Sequence, residues 1–253
     1  MRLTSNQMMT AKYLTTGLLL LAGWWLTAWL IDHSALPAPH RALTSFYNQL
    51  SNGLLVHVGV SLYRVLVSLA VSLALGVPLG LLLGRNRRLD SFLAPAIYLT
   101  YPIPKVVFMP VLFVLLGLGD LSKIVLISLI VFYQVLVTTR DAARHLEEEY
   151  VLSVQSLGAG TWQLYAHVYF PGCLPEILTS LRLGLGTAMA VLFLTETYAT
   201  RQGIGYFIMD SLSRMAYADM FAGILAMGLM GFFLYLVIDG LEKRVCLWKS
   251  LTK

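Results

Sequence analysis

Charged residues inside long apolar stretches are the first candidates for chemistry in this sequence. Arg64, Lys105 and Glu196 lie within such stretches, and Arg182 lies near the start of the stretch that contains Glu196. An ionised group at the centre of a bilayer costs about 2.5–3.5 kcal/mol on insertion scales, so it usually faces a cavity or a partner. We therefore name Arg64, Lys105 and Glu196 as candidates to line a translocation pathway. A structural role, which such residues fulfil more often, is the alternative.

The surroundings of these residues refine the hypothesis. Arg64 lies about 10 Å into its apolar stretch if a helix starts two turns before it. Lys105 follows a Pro-x-Pro break, where irregular backbone can line a cavity. Glu196 could pair with Arg201 or with an arginine of another span, and Arg182 could simply extend its charge to the interface. Three basic groups against one acidic group favour an anionic substrate.

Two patterns that could support catalysis are weak. His57 and Ser61 are four residues apart and would share a helix face, but neither an Asp partner nor an oxyanion motif joins them. An intramembrane hydrolase is therefore a remote alternative. Cys173 and Cys246 are far apart, the five His residues are scattered, and the P-loop pattern GxxxxGK[ST] is absent. We expect this chain to bind no metal and no cofactor.

The composition is that of a membrane protein. Of 253 residues, 58% are hydrophobic and 12% are charged, whereas a soluble domain is about half apolar and about a quarter charged. About 20 helical residues cross a bilayer, and the apolar stretches lack the alternation of barrel strands. The sequence therefore predicts an all-α polytopic membrane bundle with about six transmembrane helices. Their approximate positions are Tyr13–Ile31, His57–Gly84, Phe92–Gly117, Leu121–Thr139, Leu174–Ala199 and Phe221–Val245.

The first two stretches carry distinctive residues. The first could be a signal peptide, but it is longer than the roughly 7–15-residue core of a signal and contains three tryptophans. We therefore favour an uncleaved span. In the second stretch, Gly76, Gly80 and Gly84 recur at every fourth residue, a spacing that lets two helices approach closely.

The distribution of Lys and Arg predicts the orientation. With the N-terminus in the cytoplasm, most of the 18 Lys and Arg residues fall on the cytoplasmic side, as the positive-inside rule requires. An even number of spans then places both basic termini in the cytoplasm. The predicted location is the bacterial inner membrane. The net charge of +5 reflects this bias, and we expect no binding to nucleic acid.

The segment between the fourth and fifth stretches, residues 140–175, is too polar to cross a bilayer and too patterned for a plain loop. A first short helix is predicted from about Glu147 to Leu157. Tyr150, Val154 and Leu157 would then lie on one face. The first turn of this helix is acidic, which complements the helix dipole.

A glycine turn and a second helix follow in the same segment. Residues 158–160, Gly-Ala-Gly, break the first helix, and Thr161 starts a second helix that carries Trp162. Pro171 and Pro175 are expected to end the second helix before the fifth span. The apolar stripe of the two helices could pack on the protein's own spans, lie in the lipid interface or dock into a groove of a cytoplasmic partner.

The residues around this turn resemble a known family. Ser156–Ala159, followed by Val168–Pro171 ten residues after Gly158, is similar to the conserved cytoplasmic loop of ABC-importer permeases. Leu152–Val154 stands where that loop has Glu-Ala-Ala, whereas the glycine turn is kept. The likeness covers nearly the whole chain and is closest to the nitrate/sulfonate/taurine-type permeases, a branch that includes transporters of thiamine precursors. The other segments that resemble the family are Leu36–Leu43, Ser61–Gly84, Pro102–Ile124, Glu196–Ile208 and Leu241–Trp248.

The resemblance implies a fold and a role for this chain. It implies one ABC-transporter-type transmembrane domain, residues 1–253, with a coupling loop at about residues 141–173. The chain would be a permease subunit and not an enzyme, because ATP and Mg²⁺ would bind to a separate ATPase. The ATPase-coupling residues implied by the motif are Tyr150, Val154, Leu157, Gly158, Ala159 and Trp162.

The same resemblance implies the partners. Two permease copies would form a homodimer in the membrane lipid, and cytoplasmic ABC ATPase subunits would dock on the coupling loop. A periplasmic or lipid-anchored binding protein would deliver a small solute, such as nitrate, a sulfonate, taurine or a thiamine precursor. A stand-alone secondary transporter or channel is the alternative, but the inverted repeats that would favour it are not visible. The outer segment at residues 203–219 could be a gate, a docking surface or a simple cap on the bundle.

Overall fold

Helices make up the regular structure of this protein. The computed structural model describes residues 5–198 and 200–250, with side chains from residue 15 to residue 248 apart from residue 199. Every regular element in these ranges is helical, as the sequence predicts. The α-helices are α1 (Ser5–Ile31), α2 (Pro39–Gln49), α3 (Leu55–Arg85), α4 (Arg87–Thr100), α5 (Met109–Leu116), α6 (Asp120–His145), α7 (Glu148–Ser156), α8 (Thr161–Leu164), α9 (Phe170–Thr197), α10 (Ile204–Ser213) and α11 (Tyr217–Val245).

Four helical stretches among the described residues are long and apolar enough to cross a membrane. They are Pro39–Arg85, Asp120–His145, Thr161–Thr197 and Tyr217–Val245. A bent pair, α4 with the segment Lys105–Leu116, passes the same test as a fifth span. The described apolar part of α1, Thr15–Ile31, is shorter than a full span. The structure therefore confirms a polytopic helical bundle, with four or five full-length spans among the described residues.

The predicted third span, Phe92–Gly117, is not a straight helix. Its two halves, Arg87–Thr100 and Lys105–Leu116, meet at an angle of 78°. Pro102 and Pro104 lie at the break, and a proline has no backbone N–H to continue the hydrogen-bond ladder. The stretch is therefore either a broken span or a re-entrant segment.

The glycines of α3 pack against α6, as their spacing predicts. A Cβ atom added to Gly80 would lie 2.7 Å from the Cβ of Thr139, and one added to Gly84 would lie 2.7 Å from the Cβ of Ala143. Gly76 faces Val135 in the same way. The missing side chains therefore let the two backbones approach closely. Helix α6 also packs against α9, so α3, α6 and α9 form the centre of the bundle.

The second predicted helix of residues 140–175 does not end at Pro171 and Pro175, so that prediction is wrong. Thr161–Thr197 is one continuous helical stretch, interrupted only by a widened turn at Tyr165–Tyr169. A proline inside a helix removes one hydrogen bond and collides with the preceding turn. The wider turn just before Pro171 gives its ring room, and the tertiary packing of α9 keeps the chain helical.

Candidate functional site

Two short helices, α7 and α8, and a tight turn form the segment between α6 and α9. Helix α7 ends at Ser156, and Gly158 then adopts φ +84°, a backbone conformation that side chains other than glycine rarely take. The backbone N–H of Gly160 donates a hydrogen bond of 2.7 Å to Oε1 of Gln163, which fixes the start of α8 at Thr161. A Cβ atom at residue 158 would meet nothing within 4 Å, so space does not restrict this position. Glycine is favoured there because of the positive φ of its backbone.

The apolar residues of this segment divide between two faces. Val151 of α7 and Leu164 of α8 are buried and belong to the core of the bundle. Tyr150, Leu157 and Trp162 point away from it, with 57%, 86% and 81% of their surfaces exposed. We call these three residues the coupling surface. A tyrosine, a leucine and a tryptophan in this position can bury a large apolar area against a partner.

The remaining predicted coupling residues connect the coupling surface to the bundle. Val154 and Ala159 are half-buried and pack against the hydrophobic core. Together with Leu157 and Gly158 they line a small concavity of about 280 Å³. The sequence pattern placed Val154 on the same outer face as Tyr150, and it did not single out Val151 as the buried anchor. An apolar stripe along a helix, read from residue spacing alone, does not show which of its residues face the bundle and which face away from it.

A buried ionic cluster lies at the opposite end of the bundle. The guanidinium of Arg64 on α3 donates hydrogen bonds to Asp120 at the start of α6, at 2.6 Å, and to Glu196 near the end of α9, at 2.7 Å. It also donates to the backbone carbonyl of Gln202 at 3.0 Å. Arg64 and Glu196 are buried, whereas Asp120 is half exposed. An arginine from another span, and not Arg201, is therefore the partner of Glu196.

The carboxylate of Glu196 also holds the start of α10. It accepts a hydrogen bond from the backbone N–H of Gly205 at 2.8 Å and another from Oγ of Ser61 at 2.8 Å. The same Ser61 Oγ accepts from the backbone N–H of Ile204 at 2.8 Å. A Cβ atom on Gly205 would lie 2.7 Å from the Cβ of Glu196, so only glycine allows this close contact. The cluster thus joins α3, α6, α9 and α10.

The His57–Ser61 pair is engaged in this packing. Nδ1 of His57 accepts a hydrogen bond of 3.1 Å from the backbone N–H of Gly203, and the Ser61 hydroxyl is directed at Glu196. A nucleophilic serine requires a base that accepts its proton and an open face for a substrate. A fully buried Ser61 that donates to a carboxylate already paired with arginine offers neither. The contacts of the pair give no support to the hydrolase alternative.

Lys105 and Lys123 each donate hydrogen bonds to backbone carbonyl oxygens. Nζ of Lys105 donates to the carbonyl oxygens of Thr100 and Tyr101 at 2.7 and 2.6 Å, where α4 ends, and lies 4.3 Å from the ring centroid of Tyr133. Nζ of Lys123 donates to Leu118 O at 2.6 Å and is fully buried. Lys123 lies close to the polar turn before α6, so the sequence alone does not indicate that its side chain is buried.

Arg182 also has a partner inside the protein. Its guanidinium pairs with Glu242 and lies 3.5 Å from Asp239, both on α11. A cation–π contact with Tyr235 of the same helix adds to this pairing. Arg182 therefore ties α9 to α11 and does more than reach for the interface.

The fold and these features define a class of protein: a polytopic helical membrane protein in which two short helices between α6 and α9 present an apolar surface. The sequence profile of the family described as "binding-protein-dependent transport system inner membrane component" matches residues 76–245 of the chain. The chain belongs to this family. It is the membrane-spanning permease subunit of a binding-protein-dependent ABC importer in the inner membrane, and its role is translocation.

Individual relatives agree with this assignment. The chain is 31% identical to the taurine transport system permease protein TauC of Escherichia coli (strain K12). This match extends over 237 residues, which are 90% of this chain and 86% of the relative. It is 27% identical to the putative aliphatic sulfonates transport permease protein SsuC of Bacillus subtilis (strain 168), over 87% of this chain and 80% of the relative. A chain of the inward-facing methionine ABC transporter MetNI superposes with a TM-score of 0.65 at 19% identity, over 76% of this chain and 96% of the other.

Proposed function

We propose that this permease carries a small molecule with a sulfonate group, with taurine as the first candidate, into the cell. The names of the relatives support the proposal, since both the taurine and the aliphatic sulfonate permeases match most of the chain. A formylaminopyrimidine transport permease, ThiX of Halalkalibacterium halodurans, is 25% identical over 92% of the chain and supplies the second candidate. The sulfonate group carries a permanent negative charge, which agrees with the excess of basic over acidic groups in the predicted spans.

The energy for transport would enter through the coupling surface. The observation that carries this part of the proposal is the exposure of the coupling surface on two short helices. Val151 and Leu164 of these helices are buried in the core of the bundle. An apolar surface on a rigid support is what a helix-in-groove contact uses. In this proposal a separate ABC ATPase binds ATP and Mg²⁺ and docks here, and Gly158 sets the shape of the turn.

The assembly follows from the same proposal. Two copies of this chain, each a single transmembrane domain over residues 1–253, would form the pore, with both termini in the cytoplasm. A periplasmic or lipid-anchored binding protein would deliver the anion to the outer face. Arg64, Lys105 and Glu196 stay predictions as pathway residues, because the contacts described above already give each of them a structural role.

Changing the coupling surface tests the proposal. The importer is reconstituted in liposomes with its ATPase subunits and its binding protein. Leu157→Asp should reduce both taurine uptake and taurine-stimulated ATP hydrolysis at least tenfold, because a carboxylate would be buried in an apolar contact without a partner. Leu157→Met keeps the apolar volume and should leave both rates within about twofold. Ser153→Ala, an exposed change on α7, is the second control.

The turn is tested in the same assay. Gly158→Asn should retain most of the coupled activity, because asparagine tolerates a positive φ, whereas Gly158→Val should lose most of it. Full coupling in both Leu157→Asp and Gly158→Val would refute the docking proposal. Normal coupling by formylaminopyrimidine but not by taurine would refute the substrate and leave the docking intact.

A further inference from the structure

A deep basic pocket lies at the cytoplasmic end of the bundle, beside but distinct from the coupling surface. It has a volume of about 1010 Å³ and is formed where α3 ends, α4 begins and α6 ends. Four arginines line it: Arg85, Arg87, Arg88 and Arg144. This is the largest concentration of positive charge that lines any of the cavities found in the described part of the chain.

The acidic residues of the pocket do not balance these arginines. Asp90 accepts hydrogen bonds from Nε and Nη2 of Arg140, with Nη2 at 2.8 Å from Oδ2, so its charge is already paired. Glu148 is the other acidic residue on the pocket wall. Within residues 15–198, the guanidinium groups of Arg87, Arg88 and Arg144 form no ion pair. The pocket thus keeps an uncompensated positive charge.

Two further observations fit an anionic ligand. The ring of Tyr169 lies 4.6 Å from the guanidinium carbon of Arg85 and holds this side chain at the pocket wall. The N-terminus of α4, which has 14 residues, also adjoins the pocket, and its dipole favours a negative group there.

The surroundings of the pocket suit an amphiphilic ligand better than a free ion. Leu83 and Gly84, the last apolar residues of α3, are part of its lining, which places the pocket where a span reaches the lipid headgroups. Beside the rim residue Ser91, the next residue Phe92 is 79% exposed on α4, and Leu89 is also exposed. Positive charge on the cytoplasmic side next to exposed apolar side chains is suited to a phospholipid with a phosphate headgroup.

We propose that this pocket binds the phosphate headgroup of an anionic phospholipid of the inner leaflet. The arginines contact the phosphate oxygens through charge-assisted hydrogen bonds, and the acyl chains lie along the exposed apolar face of α4. Arg85 forms the inner end of the pocket, and Arg88 and Arg144 form its rim. This proposal is independent of the transported substrate and of the docking of the ATPase.

Lipid binding to the purified importer tests the proposal. The complete complex, with its ATPase subunits, is titrated in detergent with dioleoyl phosphatidylglycerol or dioleoyl phosphatidylcholine, and the bound lipids are counted by native mass spectrometry. The double variant R88Q/R144Q should bind phosphatidylglycerol about tenfold more weakly, because two headgroup charges lose their partners. R88K/R144K should stay near the wild type, and binding of phosphatidylcholine should not change.

A matched control removes the same charge elsewhere. R201Q/R214Q deletes two exposed arginines near α10, at the other end of the bundle, and should leave phosphatidylglycerol binding unchanged. Equal binding by R88Q/R144Q and the wild type would overturn the proposal. Full displacement of phosphatidylglycerol by millimolar inorganic phosphate would assign the pocket to a free anion instead. Binding that occurs only after the ATPase subunits are removed would assign it to an acidic side chain of that partner.

Discussion

At the scale of single residues, the protein uses buried charge mainly to hold its helices together. Arg64 joins Asp120 and Glu196, and Glu196 in turn holds Ser61 and the first turn of α10. Each of these groups would be unstable in the membrane alone. Paired in this way they favour this fit of α3, α6, α9 and α10, because a shift of one helix would leave a buried charge without its partner.

Removing one member of this cluster should therefore be more harmful than removing two. Arg64→Met leaves the carboxylate of Glu196 buried without its cation, and breaking a buried pair typically costs about 3–5 kcal/mol. We expect a large drop in the unfolding temperature of the purified complex. The double variant R64M/E196Q should recover part of this loss, because no unpaired charge is buried next to Ser61.

Arg201→Gln is the control for this experiment, since Arg201 is exposed near the same cluster. Its unfolding temperature should lie close to that of the wild type. An R64M/E196Q variant no more stable than R64M would show that the pairing of Arg64 with Glu196 does not account for the loss.

At the scale of elements, close packing between α3 and α6 organises the centre of the bundle. Gly76, Gly80 and Gly84 lie against side chains and backbone of α6, so the two helices touch where a side chain would normally separate them. Helices in a membrane gain little from the hydrophobic effect against each other, and such close van der Waals contact is what brings them together. The contact therefore needs all three small residues.

A single methyl group at the middle glycine should disturb this contact. In Gly80→Ala, the new Cβ would lie 2.7 Å from Thr139 Cβ and 2.9 Å from the backbone carbonyl of Leu136, and a backbone carbonyl cannot move aside cheaply. Overpacking of this kind costs about 1–3 kcal/mol. We expect a lower unfolding temperature and a lower yield of folded protein from the membrane.

Gly59 supplies the matched control on the same helix. A Cβ atom on Gly59 would meet nothing within 4 Å, so Gly59→Ala should be neutral or slightly stabilising through its higher helix propensity. Equal effects of the two substitutions would mean that the α3–α6 contact does not depend on close approach.

At the scale of the whole molecule, the two ends of the bundle have different characters. One end carries the coupling surface, the basic pocket and the basic end of α11, with Lys243 and Arg244 in its last turn. The other end carries the Arg64 cluster and the short helix α10. The positive-inside rule assigns the first end to the cytoplasm, which places the coupling surface where an ATPase subunit can reach it.

Cysteine labelling tests this orientation. Ser34 and Ser153 are both exposed and lie at opposite ends of the bundle, and the sequence contains just two cysteines, both buried. In intact spheroplasts, a membrane-impermeant maleimide should label Ser34→Cys and should label Ser153→Cys only after the membrane is permeabilised. Labelling of Ser153→Cys from outside would reverse the predicted topology.

The sequence by itself determined the class of fold and the position of the two short helices between α6 and α9. Composition and the length of the apolar stretches require a helical membrane protein, because lipid leaves the backbone no other partners. The Gly158 turn and the glycine spacing of α3 were equally readable, since both depend on local backbone geometry. The bend between α4 and α5 was signalled by Pro102 and Pro104, although its angle was not.

The tertiary structure alone decided which polar residues meet. Arg64 and Glu196 are 132 residues apart, and their pairing depends on how α3 lies against α9. The burial of Lys123, the inward turn of Val151 and the continuation of α9 through Pro171 have the same origin. Each depends on contacts between elements distant in sequence, and in a bundle these contacts override what a local pattern can predict.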